Sequence, residues 1–395
     1  MKSICLTNVF FGGFPWYFDF FLKSCSTNAT INFLIFTDQS TPTNAPSNVK
    51  FIPFSLERFN DLASFMLGMS INIEYAYKLC DFKPAYGVIF SEYLKEYEYW
   101  GITDIDIVFG RIREFITDEM LRNYEVISVR NDYPTGSFMI FENNSKVNNL
   151  FKKSKDYRKV FTSQKHYCFD ECNSVHQYLE NGGDIFQIET EIESMHHILV
   201  REMQENSLKV HFDFLIIEGL PGQLYWDNGF LSFKNEFEVL HYHLILYKDN
   251  KFAKKRRWKN IPNQFYIDRY LFRKKNIFSK IDYLLNERVR VWLLQKINQL
   301  DYFFAQKLFR NQLRNISQSL YFKEPQKRHI ILNMDNTNNF SFSSEGDFFV
   351  AYKSFFKKDF FYLKNYSGIC YHLSRDKMYL TEITRDGVSF KLEKE

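Results

Sequence analysis

The run YWGITDIDIVFG at 99–110 holds the most concentrated chemistry in the chain. In an extended strand alternate side chains share a face, so Asp104 and Asp106 are expected to project together while Ile105 and Ile107 face the other way. Two carboxylates at that spacing, at a strand end marked by Gly110, suit one hard divalent cation bound directly or through water. Such a cation would neutralise a diphosphate and stabilise it as a leaving group. An Asp-x-Asp also arises by chance about once in a chain of this length, as two solvated carboxylates at a strand end, so its meaning depends on the elements around it.

Those elements alternate. Residues 2–10 and 31–37 read as short buried strands, and the amphipathic stretch 15–26 between them reads as a helix opened by Pro15. A strand at 49–54, helical patterns at 55–67 and 85–97, and a single strand over 99–109 continue the pattern. Helices near 111–123, 145–161 and 172–181 and strands at 125–130 and 137–142 follow. The alternation predicts an α/β fold, a Rossmann-like mixed sheet flanked by helices, with ligands at the carboxyl ends of the strands. From 207 to 247 the turn signals GLPG and DNG separate hairpin-like runs. Residues 281–310 have the spacing of a basic amphipathic helix, and 328–393 read as short alternating strands.

The run YKLCDFKPAYGVIFSEYLKEYEYWGITDIDIVFGRIREFI at 77–116 resembles the core of a bacterial glycosyltransferase family of capsule and lipopolysaccharide gene sets, related to GT-A enzymes with a DxD motif. The opening 9–38 and the blocks GSFMIFEN (136–143), FDE (169–171) and EVLHYHLILYK (238–248) recur in the same order, so the resemblance covers about residues 1–250. It implies a GT-A-like fold and transfer of a sugar from a nucleotide-sugar donor, a UDP-sugar, to a hydroxyl of a cell-surface polysaccharide or lipid-linked glycan, with retention slightly favoured. It also implies that Asp104 and Asp106 are metal ligands, joined by His243. An imidazole beside two carboxylates suits Mn²⁺ somewhat better than Mg²⁺. His241, two residues away, is the histidine with which His243 is most easily confused.

By position, Asp81 and Lys83 correspond to the acidic and basic residues that related enzymes place on donor sugar and phosphates. A lysine is a suitable point charge for a diphosphate. Asp38, at the end of the second strand, is a candidate for the base or ribose, and Trp100 with Phe10 or Phe11 for stacking on the base, with core packing as the alternative. Asp170 and Glu171 form the candidate catalytic pair on the acceptor side.

The rest of the sequence excludes more than it proposes. There is no P-loop, GxGxxG or GxSxG, and the six cysteines show neither CxxC pairs nor zinc-like spacing. A sugar nucleotidyltransferase, the rival enzyme, would carry a basic glycine-rich loop where this chain has FGGFP. The segment 251–314 carries 17 Lys/Arg against 4 Asp/Glu. A non-catalytic polyanion-binding protein is the rival from another class, but aromatic RNA-binding motifs are absent and no nucleic-acid partner is expected. The cluster Lys254, Lys255, Arg256 and Arg257 beside Trp258 suits an anionic membrane surface instead, with a solvated face as the alternative. No apolar run is long enough for a membrane span, which predicts a cytoplasmic protein, peripheral on the inner face of the membrane. The expected domains are 1–250 (catalytic), 251–325 (basic, helical) and 326–395 (small, β-rich).

Overall fold

A computed structural model describes residues 1–275 except Phe214, Leu220, Asn235, 249–252, 254–257, Lys259 and Tyr270. Beyond these it describes Val289, Trp292, Leu293, Lys296 and Leu300 and the backbone of eight later strands. The chain divides into two compact units, Met1–Ser279 and Lys280–Glu395.

In the first unit, strands β1 (Ile4–Phe10), β2 (Ile31–Thr37), β3 (Val49–Pro53), β4 (Tyr99–Thr103), β5 (Ile107–Phe109), β6 (Val126–Ser128), β7 (Phe138–Glu142) and β8 (Val210–Phe212) precede a hairpin-rich end. That end contains β9 (Ile216–Ile217), β10 (Leu224–Asp227), β11 (Phe230–Phe233), β12 (Phe237–Glu238), β13 (His241–His243), β14 (Gln264–Ile267) and β15 (Phe272–Lys274). The central sheet has the order β3-β2-β1-β4-β7-β6-β8. Its first four strands are parallel and β7 is antiparallel to both neighbours, so the sheet is mixed and flanked by helices, as the sequence predicts.

Strand β2 shows why the middle of this sheet reads as continuous apolar sequence. Leu34 and Phe36 enter the core on one face, while Phe33 and Ile35 enter the core on the other. Helix α1 (Phe18–Ser26) starts three residues later than expected, with the Phe18 amide donating to the Pro15 carbonyl. Helix α2 (Leu56–Leu67) buries Phe59, Ala63 and Leu67 at helical spacing. Ser55 accepts a hydrogen bond from the Arg58 amide at its start, and Gly68 ends it at φ 65°. The helix expected over 85–97 is instead two single turns, Tyr86–Ile89 and Ser91–Leu94, preceded by a 3₁₀ helix, Ala76–Ala85. Pro84 lacks the N–H a continuous α-helix needs, and Gly87 lets the chain press against the Trp100 ring, where a Cβ would lie 2.6 Å from the indole.

The stretch 99–109 is two strands, not one. β4 ends at Thr103, and after a break β5 joins a separate three-stranded sheet, β5-β13-β9. The DNG signal does make a tight hairpin between β10 and β11, with Asn228 at φ 48° and Gly229 at φ 98°. Within 251–325, Gln264–Ile267 and Phe272–Lys274 are strands that extend the β10 sheet. The basic cluster 254–257 lies outside the described residues, as does most of 281–310. No helix among the described residues is long and apolar enough to cross a membrane.

Among the described residues, the second unit contains eight strands between Gln318–Lys323 and Ser389–Lys391, each antiparallel to the next.

One glycine tests the central packing. A Cβ at Gly101, in the middle of β4, would lie 2.4 Å from the Met139 carbonyl oxygen and 2.6 Å from Leu6. Backbone cannot yield as a side-chain tip can, so Gly101→Ala is expected to lower stability by about 1–3 kcal/mol, measured by urea unfolding.

Candidate functional site

Strands β1, β2 and β4 are parallel, so their carboxyl ends share one edge, and there the chemistry gathers. Asp104 follows β4 directly, with its amide donating to the Ser137 carbonyl at 3.0 Å. Asp106 sits in the break before β5, its carbonyl accepting from the Leu244 amide at 2.7 Å. Because β13 pairs antiparallel with β5, His243 lies opposite Ile107, beside Asp106. The two carboxylates therefore converge through a change of sheet, not through strand alternation. Ligand atoms of Asp104, Asp106 and His243 all lie within 4.8 Å of one another.

His243 is oriented for ligation. Its Nδ1 is 2.7 Å from Glu218 Oε1, which leaves Nε2 facing Asp106 Oδ1 at 3.5 Å. Burial alone would lower its pKa, but hydrogen bonds and attraction from Asp106 and Glu218 raise it to about 10. Asp106 is likewise buried, yet His243 and Lys248 hold it below the ordinary carboxylate range. His241 is different: it is buried against Phe109 and Phe138, and neither ring nitrogen has a hydrogen-bond partner.

Two lysines flank the carboxylates. Lys83 Nζ donates to Asp104 Oδ1 (2.7 Å) and to the Gly136 carbonyl (2.7 Å) and lies 3.9 Å from Asp170 Oδ2. Burial opposes its charge, but Asp104 and Asp170 raise its pKa well above the usual lysine range. Lys248 Nζ donates to Asp106 Oδ2 at 2.8 Å. These residues line a cavity of about 390 Å³ with Asp170, Glu171 and Glu218. Asp104 and Asp106 bring its carboxylates to five, against two lysine amines and the His243 imidazole.

That imbalance suits a divalent cation, since an anionic ligand could not otherwise approach so many carboxylates. The donor set fits too. The lysines and Glu218 engage Asp104 Oδ1, Asp106 Oδ2 and His243 Nδ1, so Asp104 Oδ2, Asp106 Oδ1 and His243 Nε2 are the atoms that would hold it.

Asp170 and Glu171 form the opposite wall. Asp170 is buried, its Oδ1 has no hydrogen-bond partner, and burial pushes its pKa up against the pull of Lys83. Glu171 Oε1 accepts from the Gly136 amide (2.7 Å) and Oε2 contacts His176 Nε2 (2.8 Å). Burial would raise Glu171, but His176 and the Gly136 amide bring it down to about 2. Gly136 must be glycine here, because a Cβ would lie 2.1 Å from Asp170 Oδ2.

Two expected ligand residues are placed elsewhere. Trp100 is fully buried, stacked on Phe141 at 4.4 Å with Nε1 donating to Asn148, so it is a core residue and has no face for a base. Asp81 is also fully buried. It pairs with Lys78 (2.8 Å) and accepts from the amides of Tyr167 (2.9 Å) and Phe169 (2.8 Å), so it anchors the loop that carries Asp170 and does not face the cavity. Phe10, Phe11 and Asp38 stand at the same sheet edge but outside the cavity lining. Phe10 stacks on Phe14 at 5.9 Å, and Asp38 is exposed and accepts from the Gly12 amide at 2.9 Å.

Sequence reasoning missed Glu218, Lys248, Arg130 and His176. Lys248 closes the very block that supplied His243, so its five-residue spacing was a usable signal. Glu218 carried none: only the fold brings it to His243, where Arg130 holds its other oxygen at 2.6 Å.

The two histidines of β13 make a direct comparison. His243→Ala is expected to weaken Mn²⁺ binding by calorimetry at least roughly tenfold. His241→Phe should leave that binding intact and raise stability by about 1 kcal/mol, because it removes two unsatisfied buried nitrogens. Equal effects on metal affinity would contradict this assignment.

Fold and site together describe a mixed α/β domain with a carboxylate-lined cavity at the carboxyl edge of its sheet. The chain belongs to a family of unknown function, DUF6625, whose family model matches residues 6–280. No curated protein matches it in sequence. Among solved structures it is similar to the galactosyltransferase LgtC in complex with donor and acceptor sugar analogues, at 11% identity over 43% of this chain and 71% of that one, with a TM-score of 0.25. It is also similar to mouse xyloside xylosyltransferase 1 in its apo form, at 11% identity over 62% and 97% of the two chains, with a TM-score of 0.33. Likenesses this slight carry no argument about chemistry, which rests on the cavity.

Proposed function

We propose that this chain is a metal-dependent glycosyltransferase that moves a sugar from a nucleotide-sugar donor, a UDP-sugar, to a hydroxyl of a cell-surface or lipid-linked glycan. The observation that carries the reading is the convergence of Asp104, Asp106 and His243 beside Lys83 and Lys248 on one cavity. A divalent ion there, Mn²⁺ or Mg²⁺, would neutralise the donor diphosphate and stabilise it as it leaves.

The chain's own residues supply the rest. Lys248, part-exposed and next to Asp106, can turn to a phosphate oxygen, while buried Lys83 stays fixed between Asp104 and Asp170. Glu218 holds the His243 ring in the tautomer that presents Nε2. Asp170, with one oxygen unpartnered, is the carboxylate we assign to the reacting centre. Under retention it shields positive charge developing on the sugar; under inversion it takes the acceptor proton. Glu171, with both oxygens engaged, holds that wall in position. Phe10, Phe11 and Asp38, at the shared sheet edge, are assigned to the nucleoside. The acceptor's setting makes the inner face of the membrane the proposed location.

The test is thermal stability with nucleotide and metal. UDP is expected to raise the melting temperature only when Mn²⁺ or Mg²⁺ is present, because bare carboxylates repel the diphosphate. An equal shift in EDTA would refute the metal-dependent reading.

A further inference from the structure

The loop that carries Asp170 and Glu171 also brings together a thiol, a carboxylate and an imidazole. Cys168 Sγ lies 3.3 Å from Glu171 Oε2 and 3.7 Å from His176 Nε2, and the last two atoms are 2.8 Å apart. All three residues line the cavity. Ligand atoms around a tetrahedral zinc ion, bound at about 2.0–2.3 Å, sit roughly 3.3–3.7 Å from one another. The cluster therefore already has nearly that spacing, with only the carboxylate and imidazole needing to part slightly.

The loop holds this arrangement firmly. The Asn173 amide donates to the Cys168 carbonyl at 3.0 Å, and Asn173 Nδ2 donates to the Tyr167 carbonyl at 2.8 Å. Cys168, Asn173 and Ser174 all adopt positive φ, at 53°, 53° and 64°, a conformation that non-glycine residues take up at some energetic cost. The Gly136 amide fixes Glu171 Oε1, so Oε2 is the oxygen turned to the cluster. The Tyr133 ring packs edge-on against His176 at 4.9 Å. Next in the chain to Glu171, Asp170 presents to the same cavity a carboxylate whose Oδ1 is buried and has no hydrogen-bond partner.

We propose that Cys168, Glu171 and His176 form a second metal site, for a divalent transition-metal ion of the zinc class, with its fourth position open to the cavity. The proposal rests on this cluster and does not depend on the transfer reaction. Its donor set is softer than that of Asp104, Asp106 and His243, so the two sites differ in preference: thiolate and imidazole select zinc-like ions, while a carboxylate-rich set accepts Mn²⁺ or Mg²⁺. On binding, the Cys168 thiol loses its proton to solvent and the sulfur bonds to the metal. Burial raises the Cys168 pKa, so without metal the residue stays a thiol. The spacing Cys-x₂-Glu-x₄-His matches no zinc signature, and only the folded loop brings the three together.

Cobalt reports the site, because a near-ultraviolet thiolate-to-cobalt charge-transfer band requires sulfur ligation, which the other metal site lacks. Full-length metal-free protein titrated with Co²⁺ is expected to develop this band, saturating at one equivalent and lost on adding Zn²⁺. Cys168→Ser should abolish it and His176→Ala should weaken it at least severalfold. Cys80→Ser, which changes another cysteine of the cavity, and Asp106→Asn should both retain it, with circular dichroism confirming that each variant is folded. Should Cys168→Ser fail to fold, the partly exposed His176 and the Cys80 control decide the question. No band in the wild type, a band that survives Cys168→Ser, or one unaffected by His176→Ala or abolished by Cys80→Ser would overturn the proposal.

Discussion

Asp106→Asn is expected to lower sugar transfer roughly a thousandfold and to remove the metal-dependent part of UDP binding, the loss of several kcal/mol that a bound cation supplies. The substitution keeps the shape of the side chain and removes its charge, where His243 Nε2 (3.5 Å) and Lys248 Nζ (2.8 Å) meet it. Two cations then face a neutral amide. Folded stability should fall as well, by about 1–3 kcal/mol, since hydrogen bonds to a charged partner become weaker ones. Urea unfolding in EDTA measures that second effect separately from the first. A variant that binds UDP with Mn²⁺ as tightly as the wild type would remove Asp106 from the metal site, and the proposed mechanism would fail with it.

Lys83→Met should have the other large effect, and for a different reason. The lysine amine is the shared partner of Asp104, Asp170 and the Gly136 carbonyl, and only about a twelfth of its side chain is exposed (8%). Methionine fills a similar volume but leaves two carboxylates close together without their cation. Breaking a buried ion pair from one side costs about 3–5 kcal/mol, so the midpoint of urea unfolding should drop markedly. Activity should fall further than the folded fraction accounts for, because Asp104 and Asp170 lose the group that sets their separation. Comparing kcat at a temperature where both proteins are folded separates the two contributions. An unchanged unfolding midpoint would mean that Lys83 is not the electrostatic centre of this wall.

Both predictions concern residues that the sequence singled out, but for reasons the fold revised. Asp104 and Asp106 were visible as a pair because Asp-x-Asp is local. The strand continuity assumed for them was not real, since a period-2 pattern is the same whether a strand continues or passes into another sheet. Asp81 reads as a ligand residue because it matches by position the acidic residue of related enzymes, and Trp100 because an aromatic ring beside the Asp-x-Asp run has the chemistry to stack on a base. Burial, which one sequence does not report, makes Trp100 a core residue beside Phe141 and Asp81 the anchor of the 167–169 backbone.

The sequence by itself determined the alternation that builds the central sheet, helix α2, the hairpin at Asn228 and Gly229, and the pair of aspartates. Each depends on side-chain periodicity or turn chemistry within a few residues, interactions already present in the local chain. Only the tertiary structure decided which groups meet: Lys83 with Asp104, His243 with Asp106 and Glu218, and Cys168 with Glu171 and His176. Even the last set, only nine residues from end to end, exists through left-handed backbone at Cys168 and through the Gly136 amide that holds Glu171 from another strand's approach. Such contacts form once sheet order and burial bring distant segments together, and the charge held at each group follows from that enclosure.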